Sequence, residues 1–175
     1  MSNVQTNGYP LMEVIQMKIK IHAIGKIKEV YLKIGIDEYL RKIKPYSQIE
    51  IVEYNDEPIP NNPNNSEIEL AKKKEGEKVL QNIKSNEYLI GLDLNKKELE
   101  SPAFAEFLNK NMENNGASIS FVIGGSYGLS DDLKKRCNDS ISLSKMTFLH
   151  QMTRLILLEQ IYRSFKILNN ETYHK

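Results

Sequence analysis

Residues 118–130, SISFVIGGSYGLS, give the clearest indication of the fold. The first six residues form a short, mostly apolar run that is typical of a buried strand, and Gly124 and Gly125 follow it directly. Ser130 then stands where its side chain can cap a short helix that continues through Lys135. A strand that passes through a glycine-rich turn into a helix is typical of α/β domains, in which such turns lie beside ligands.

The same alternation of strands and helices extends in both directions from this stretch. Ser66 with Glu69 predicts a capping box, and Ser101 with Pro102 predicts an N-cap and a first helical residue. Strands are predicted at residues 18–24, 49–54, 88–94 and 118–123, and the long helices at residues 29–43, from Ser66, from Pro102 and at 151–168. This order predicts an α/β fold with a mainly parallel sheet flanked by helices. Because no repeat or linker divides the chain, residues 17–175 are expected to form one domain.

Composition excludes several classes of function. Cys137 is the only cysteine among 175 residues, so an internal disulfide is excluded and a reducing compartment is indicated. Without a nearby histidine, Cys137 is interpreted as a bystander rather than a nucleophile. No Cys and His residues have zinc spacing, so no metal is predicted. A net charge of +1 does not indicate a dedicated nucleic-acid binder, so any RNA contact must depend on local Arg and Lys side chains.

The first sixteen residues, MSNVQTNGYPLMEVIQ, differ in character from the rest of the chain. They lack a charged n-region and a long apolar core, so they are interpreted as neither a secretory signal nor a membrane anchor. We expect residues 1–16 to be an extension outside the fold, and the protein to be cytoplasmic with no membrane partner.

The glycine-rich turn admits two interpretations, a simple chain reversal or a ligand cradle. The second glycine of a dinucleotide-binding fingerprint falls at Ser126, and no P-loop lysine follows, so dinucleotide and ATP binding are disfavoured. The segments GLDL (91–94) and FVIGGS (121–126) would both end at the carboxyl edge of a parallel sheet. Ligands collect at that edge, which predicts a crevice there with LSKMTFLHQ (143–151) as its third wall.

Eight stretches stand in a specific order along residues 17–175. They are IHAIGKIKE, EYLRKIKPY, KKKEGEKVL, GLDL, FVIGGSYGLS, ISLSKMTF, HQMTRLILLEQIYRSFKI and ETYHK. In this order they resemble the large-subunit ribosomal RNA methyltransferases of the pseudouridine-N3 type, within the knotted SPOUT superfamily. The sequence departs from the family pattern at Lys96, where relatives often carry Gly, and at Leu149, where they often carry Pro.

The resemblance implies a SPOUT-type fold with a deep C-terminal trefoil knot, an exception to the rule that chains do not thread loops. It also implies methyl transfer from S-adenosylmethionine to N3 of a pseudouridine in 23S ribosomal RNA. Because the net charge is only +1, we expect the substrate to be the assembled ribosome and not naked RNA. A homodimer is expected because the family builds its active site at a two-fold interface and because the last helix is apolar on more than one face.

The resemblance also places the cofactor site on three segments. The cofactor-binding candidates are Leu92, Gly124, Leu143, Ser144, Lys145, Met146, Thr147 and Phe148. Backbone groups of such loops can bind the adenine edge while apolar side chains cover the ring. Core packing is the alternative for Met146 and Phe148. Because a Cβ at Gly124 would enter the ligand space, Gly124→Val is expected to reduce cofactor affinity more than stability.

The catalytic candidates lie near the C-terminus. Tyr173 and His174 could stack on or hydrogen-bond an exposed base, and Arg163 could offset negative charge on the imide or a phosphate. A disordered terminus and a solvated helix face are the alternatives. Two other functions stay open, namely a non-catalytic RNA- or ribosome-binding module of the same fold and a tRNA methyltransferase.

Overall fold

The computed structural model describes residues 17–173, so the predictions for residues 1–16 and for His174 lie outside the described residues. Five parallel strands form one sheet in the order β2-β1-β4-β3-β5. They are β1 (Met17–Ile24), β2 (Ser47–Tyr54), β3 (Leu89–Leu92), β4 (Ser118–Ile123) and β5 (Asp139–Ile141). The predicted α/β class with a parallel sheet is confirmed, and the trefoil knot stays a prediction.

Five helices cover the sheet. They are α1 (Val30–Ile43), α2 (Asn65–Leu80), α3 (Ser101–Asn114), α4 (Asp131–Arg136) and α5 (His150–Leu168). Helix α5 packs against both α1 and α3, and α2 packs against α4. No helix within residues 17–173 is long and apolar enough to cross a membrane.

The two groups of helices enclose two separate hydrophobic cores. Strand β4 contributes Phe121 to the core beneath α1, α3 and α5, and Val122 to the core beneath α2 and α4. Consecutive strand residues point to opposite faces of a sheet, so both faces of β4 are buried.

Strand β1 is more deeply buried than its polar and apolar alternation predicts. The alternation in KIKIHAI (18–24) is typical of a half-buried strand, but β1 lies inside the sheet and its polar His22 is buried. The imidazole is hydrogen bonded through Nδ1 to the Tyr54 hydroxyl and through Nε2 to Glu87, at 2.7 Å each. These partners allow a polar side chain to occupy a core position.

Helix α2 begins earlier than predicted. Its N-cap is Asn64, whose side chain accepts a hydrogen bond from the Glu67 amide while the Glu67 carboxylate accepts one from the Asn64 amide. The capping box is therefore Asn64 with Glu67, and the prediction of Ser66 with Glu69 is wrong. Asn caps a helix as well as Ser does, and the earlier start adds a half turn of helix.

The caps of α3 and α4 show how tertiary contacts compete with local capping. The prediction of Ser101 as the N-cap of α3 is wrong, since Ser101 is the first helical residue and Glu100 is the N-cap. The Ser101 hydroxyl donates to the Gln160 side chain on α5 at 2.8 Å and caps no backbone amide. The predicted cap of α4 is confirmed, since the Ser130 side chain accepts from the Leu133 amide.

Candidate active site

A cleft of about 550 Å³ opens where β3 and β4 end, within the range of small-molecule sites. The end of each strand, the turn at residues 125–128, the loop at 142–149 and the start of α5 form its walls. The cofactor-binding candidates that line it are Leu92, Gly124, Leu143, Ser144, Met146, Thr147 and Phe148. Lys145 is the exception, since its side chain is exposed and does not line the cleft.

The glycine turn folds tightly back on itself. The Gly128 amide donates to the Gly125 carbonyl at 3.1 Å, and Gly128 has a φ of 84°, which favours glycine. A Cβ built on Gly124 would lie 2.5 Å from the carbonyl carbon of Gly128. A side chain at Gly124 would therefore collide with the backbone of Gly128. The premise of the Gly124→Val prediction, that the added side chain would enter the ligand space, is wrong, and we expect this substitution to destabilise the turn.

The loop that carries the SKMTF motif presents apolar side chains to the cleft. Met146 is 72% exposed and Phe148 36% exposed, so the core-packing interpretation of these two residues is wrong. The Ser144 hydroxyl accepts from the Met146 amide at 3.0 Å, and Ser142 donates to the Ser144 carbonyl at 2.8 Å. These local bonds hold the loop in a turn that leaves its apolar side chains accessible to a flat ring.

Neither departure from the family pattern strains the backbone beside the cleft. Leu149 has a φ of −55°, a value that proline also adopts, so exchange between the two residues preserves the loop. Lys96 closes a turn by donating from its amide to the Asp93 carbonyl at 3.1 Å. Positive φ among described non-glycine residues occurs only at Ala117 and Asn170, so the turn at Lys96 does not require glycine.

A buried arginine anchors the start of α5 to the sheet. Arg154 is fully buried, and its guanidinium donates to the carbonyl oxygens of Ile24 and Gly25 and to the carboxylate of Glu53. Burial lowers the pKa of Arg154, and the bond to Glu53 opposes that effect. Because α5 continues directly from the SKMTF loop, this anchor also sets the position of the loop.

Arg154 was not among the predicted site residues, although the sequence of α5 contains a signal for it. The buried residues of α5 recur at three- and four-residue spacing, and Arg154 occupies one position of that stripe. The stripe is Arg154, Leu157, Leu158, Ile161 and Phe165. A charged residue at a core position of an amphipathic helix predicts a buried ion pair, and here the partner is Glu53.

His150, the first residue of α5, also lines the cleft and was not predicted. A Cβ built on Gly25 would lie 2.7 Å from Nε2 of His150, so the imidazole packs against the backbone that follows β1. Burial lowers the pKa of His150, and the nearby Arg154 lowers it further. The wall of the cleft therefore carries a neutral imidazole at pH 7.

The catalytic candidates Arg163 and Tyr173 contact each other. Arg163 donates to the Glu159 carboxylate from two nitrogens, at 2.6 and 3.1 Å, and its guanidinium lies 4.8 Å from the ring centroid of Tyr173. The Tyr173 hydroxyl also donates to Glu159 at 3.1 Å, and its ring packs edge-on against Tyr162. Burial raises the pKa of Tyr173, with hydrogen bonding to Tyr39 as the next cause. The Tyr173 phenol is thus a hydrogen-bond donor at neutral pH and not a base.

Neither residue lines the cleft of its own chain. Thr153 is the last residue of α5 that lines the cleft, and Arg163 follows it by ten residues, so at a rise of about 1.5 Å per residue about 15 Å of helix separates Arg163 from the cleft. The structure brings the predicted cofactor segments together but leaves Arg163 and Tyr173 at the other end of α5.

Two other chemistries find no support within residues 17–173. Burial raises the pKa of the Cys137 thiol to about 11, so almost none of it is thiolate at neutral pH. No group of three or more His, Cys, Asp and Glu side chains in this part of the chain is placed to hold a metal ion.

The cleft fits S-adenosylmethionine in the character of its walls. Leu92, Leu143 and Phe148 offer apolar surface for an adenine ring, and the turn at 125–128 brings backbone groups to the cleft. Polar side chains such as Asp93, Asn95 and Thr147 also line it, so the cleft can bind both an apolar ring and a polar arm.

Comparison with known proteins agrees with this geometry. A family model described as "Predicted SPOUT methyltransferase" matches residues 17–174. The chain is 48% identical over 159 residues to the ribosomal RNA large subunit methyltransferase H of Clostridioides difficile (strain 630), and 46% identical over 159 residues to that of Halothermothrix orenii. Each alignment covers 91% of this chain and 100% of the relative.

A solved structure of the Legionella pneumophila protein Lpg2936 with bound SAM shows 9% identity and a TM-score of 0.47, covering 85% of this chain and 66% of that chain. That likeness is too low to carry an argument. The match to the family model over residues 17–174 and the 46–48% identity to full-length relatives show that this chain belongs to the SPOUT methyltransferase family.

Proposed function

We propose that this chain transfers a methyl group from S-adenosylmethionine to N3 of a pseudouridine in 23S ribosomal RNA, on assembled ribosomes in the cytoplasm. The observation that carries the proposal is the convergence of three distant segments, ending at Leu92, Gly124 and Phe148, on one cleft. The substrate class comes from the relatives, which are named ribosomal RNA large subunit methyltransferase H and match over their whole length.

The chemistry requires positioning more than covalent catalysis. S-adenosylmethionine, when bound, supplies a methyl carbon to the attacking nitrogen while the electron pair of the carbon–sulfur bond returns to sulfur. The residues of the cleft hold the donor and exclude water, which is the contribution that an in-line transfer needs. The N3 proton must leave as the methyl arrives, so a nearby group has to accept it.

The C-terminal residues supply the groups that act on the acceptor base. The Arg163 guanidinium can offset negative charge on the imide, although in the described arrangement it is bonded to Glu159. Tyr173 stays protonated and is suited to stacking or donating a hydrogen bond. His174 follows it directly, and we assign proton removal to this imidazole.

A homodimer is part of the proposal. About 15 Å of α5 separates Arg163 from Thr153, the last helix residue at the cleft, so the cofactor and acceptor groups of one chain do not meet. Two copies with α5 antiparallel would bring the C-terminal residues of one copy to the cleft of the other. Met146 and Leu149, each 72% exposed at the cleft, offer apolar surface for that contact.

Mixing two inactive variants tests this shared site. One variant lacks residues 173–175, and the other carries a cleft defect such as Thr147→Trp, in which a large side chain at an exposed position of the lining would fill the cleft. If each site combines two copies, unfolding and refolding an equal mixture should restore about a quarter of wild-type activity, because half the dimers contain one intact site. No recovered activity, or a monomer in sedimentation with full activity, would contradict the dimeric site.

The function itself is tested in two steps. Calorimetric titration with S-adenosylmethionine separates an enzyme from a non-catalytic RNA- or ribosome-binding module, because only the enzyme needs a saturable cofactor site. Incubation with intact ribosomes, protein-free 23S RNA and tRNA, followed by mass mapping, then identifies the modified nucleotide. We expect methylation of ribosomes and little of naked RNA, because a net charge of +1 provides little general attraction to phosphate. Modification of tRNA alone would contradict the ribosomal assignment.

A further inference from the structure

We infer that Glu75 recognises the positive charge on the methionine arm of the cofactor, by placing a buried carboxylate against the glycine turn of the cleft. This inference rests on the proposed use of S-adenosylmethionine and adds a specificity-determining residue from α2. Glu75 belongs to none of the three segments assigned to the cofactor from sequence.

The carboxylate of Glu75 lies directly behind a residue that lines the cleft. A Cβ built on Gly125 would lie 2.9 Å from Oε2 and 3.3 Å from Oε1 of Glu75. Any side chain at Gly125 would displace the carboxylate, so glycine here permits its close approach. Because little more than the backbone of the turn lies between the Glu75 carboxylate and the cleft, its charge acts on a ligand bound there.

Helix packing holds Glu75 in this place. A Cβ built on Gly76 would lie 2.1 Å from Oγ of Ser130, so α2 can approach the segment after the glycine turn only because this position is glycine. The Glu57 amide donates to Oε1 of Glu75 at 2.9 Å. Two independent contacts therefore orient the carboxylate toward Gly125.

Glu75 lacks a cationic partner among the described residues. It is 5% exposed, and Oε2 has no hydrogen bond to any residue in the range 17–173. Lys78 is the cation that lowers the pKa of Glu75, but its ammonium donates hydrogen bonds to the Glu57 carboxylate and to the Asn55 carbonyl. Burial raises the pKa of Glu75, and the neighbouring Asp56 raises it too.

A buried carboxylate without a cation is costly, because burial removes the water that would solvate its charge. A cationic ligand group in the cleft would offset that cost, and neutral ligands would not. The methionine arm carries two such groups, the sulfonium and the α-ammonium. Glu75 thereby favours the charged methyl donor in the cleft over an uncharged nucleoside.

Calorimetric titration of Glu75→Gln with three related ligands tests the inference. S-adenosylmethionine carries both cationic groups, S-adenosylhomocysteine keeps only the ammonium, and methylthioadenosine carries neither. The Gln side chain keeps the acceptor for the Glu57 amide, so the fold should survive. Glu77→Gln, the same change on the exposed side of α2, is the matched control.

We expect Glu75→Gln to weaken S-adenosylmethionine about tenfold or more while changing methylthioadenosine by less than about twofold. A smaller loss for S-adenosylhomocysteine assigns the contact to the sulfonium, and an equal loss assigns it to the ammonium. Unchanged binding of S-adenosylmethionine, or an equal loss for methylthioadenosine, would overturn the inference. Failure of the wild-type protein to bind S-adenosylmethionine would instead overturn the proposed function.

Discussion

The ion pair between Arg154 and Glu53 fastens α5 to the sheet, and a double-mutant cycle measures what that contact contributes. The Arg154 side chain is 1% exposed and that of Glu53 is 35% exposed. Glu53→Ala removes the anion and leaves a buried guanidinium with carbonyl partners only. Arg154→Met removes the cation and leaves a carboxylate that water can reach. The two single changes are therefore unequal.

The structure sets the expected magnitudes. An unpaired buried charge costs about 3 kcal/mol, so Glu53→Ala should lower the free energy of unfolding by about that amount. Arg154→Met removes the bonds to Glu53 and to two carbonyls, and we expect it to lower the free energy of unfolding by about 2 kcal/mol. This loss is smaller because water can solvate the Glu53 carboxylate that remains. The double variant should lose about 3 kcal/mol, well short of the sum, because the buried charge left by the first change is gone.

Urea unfolding at one fixed protein concentration is the assay, because dimer formation would make stability depend on concentration. The control cycle uses Lys20 and Glu50, a more exposed ion pair at 3.4 Å that joins β1 to β2. Its coupling energy should stay within about 0.5 kcal/mol. If the effects of the Arg154 and Glu53 substitutions on the free energy of unfolding also add to within about 0.5 kcal/mol, the two side chains do not anchor α5 as an ion pair.

Three further outcomes test other parts of the molecule. Gly124→Ala should destabilise the fold by about 2 kcal/mol in thermal unfolding, because its Cβ would meet Gly128 backbone at 2.5 Å, and an unchanged midpoint would contradict that turn. Removing residues 173–175 should abolish methyl transfer but change cofactor affinity by less than about twofold, so full turnover would exclude a catalytic tail. Because the pKa of His150 is lower in the folded state, His150 contributes stability that is fully present above the unfolded pKa of about 6.5. That contribution is lost as the pH falls through the folded pKa. Urea midpoints measured from about pH 7 to about pH 5 should therefore fall less in His150→Gln, and equal falls would contradict this.

Local sequence patterns were sufficient for much of the fold. Strand β4 spans 118–123 as predicted, and Ser130 caps α4, because apolar runs, glycines and caps act over a few neighbouring residues. Where two local solutions competed, the prediction failed by a few residues, as at Ser66, where Asn64 supplied the cap. The cofactor segments were identified by resemblance, and the structure places Leu92 and its partner segments on one cleft.

Long-range packing decided what the sequence could not. The carboxylate of Glu75 lies against Gly125, fifty residues away in the chain, and Arg154 pairs with Glu53 across 101 residues. No local pattern specifies such partners, because the free energy that selects them comes from packing whole helices onto the sheet. The same packing extends α5 away from the cleft and so separates Arg163 from it by about 15 Å of helix. Local patterns predicted the five helices and four of the five strands, and the family resemblance predicted the cofactor segments, but β5 (Asp139–Ile141) is too short to show a pattern of its own. Which charges are buried together, and which groups one chain keeps apart, followed only from the packing of distant segments.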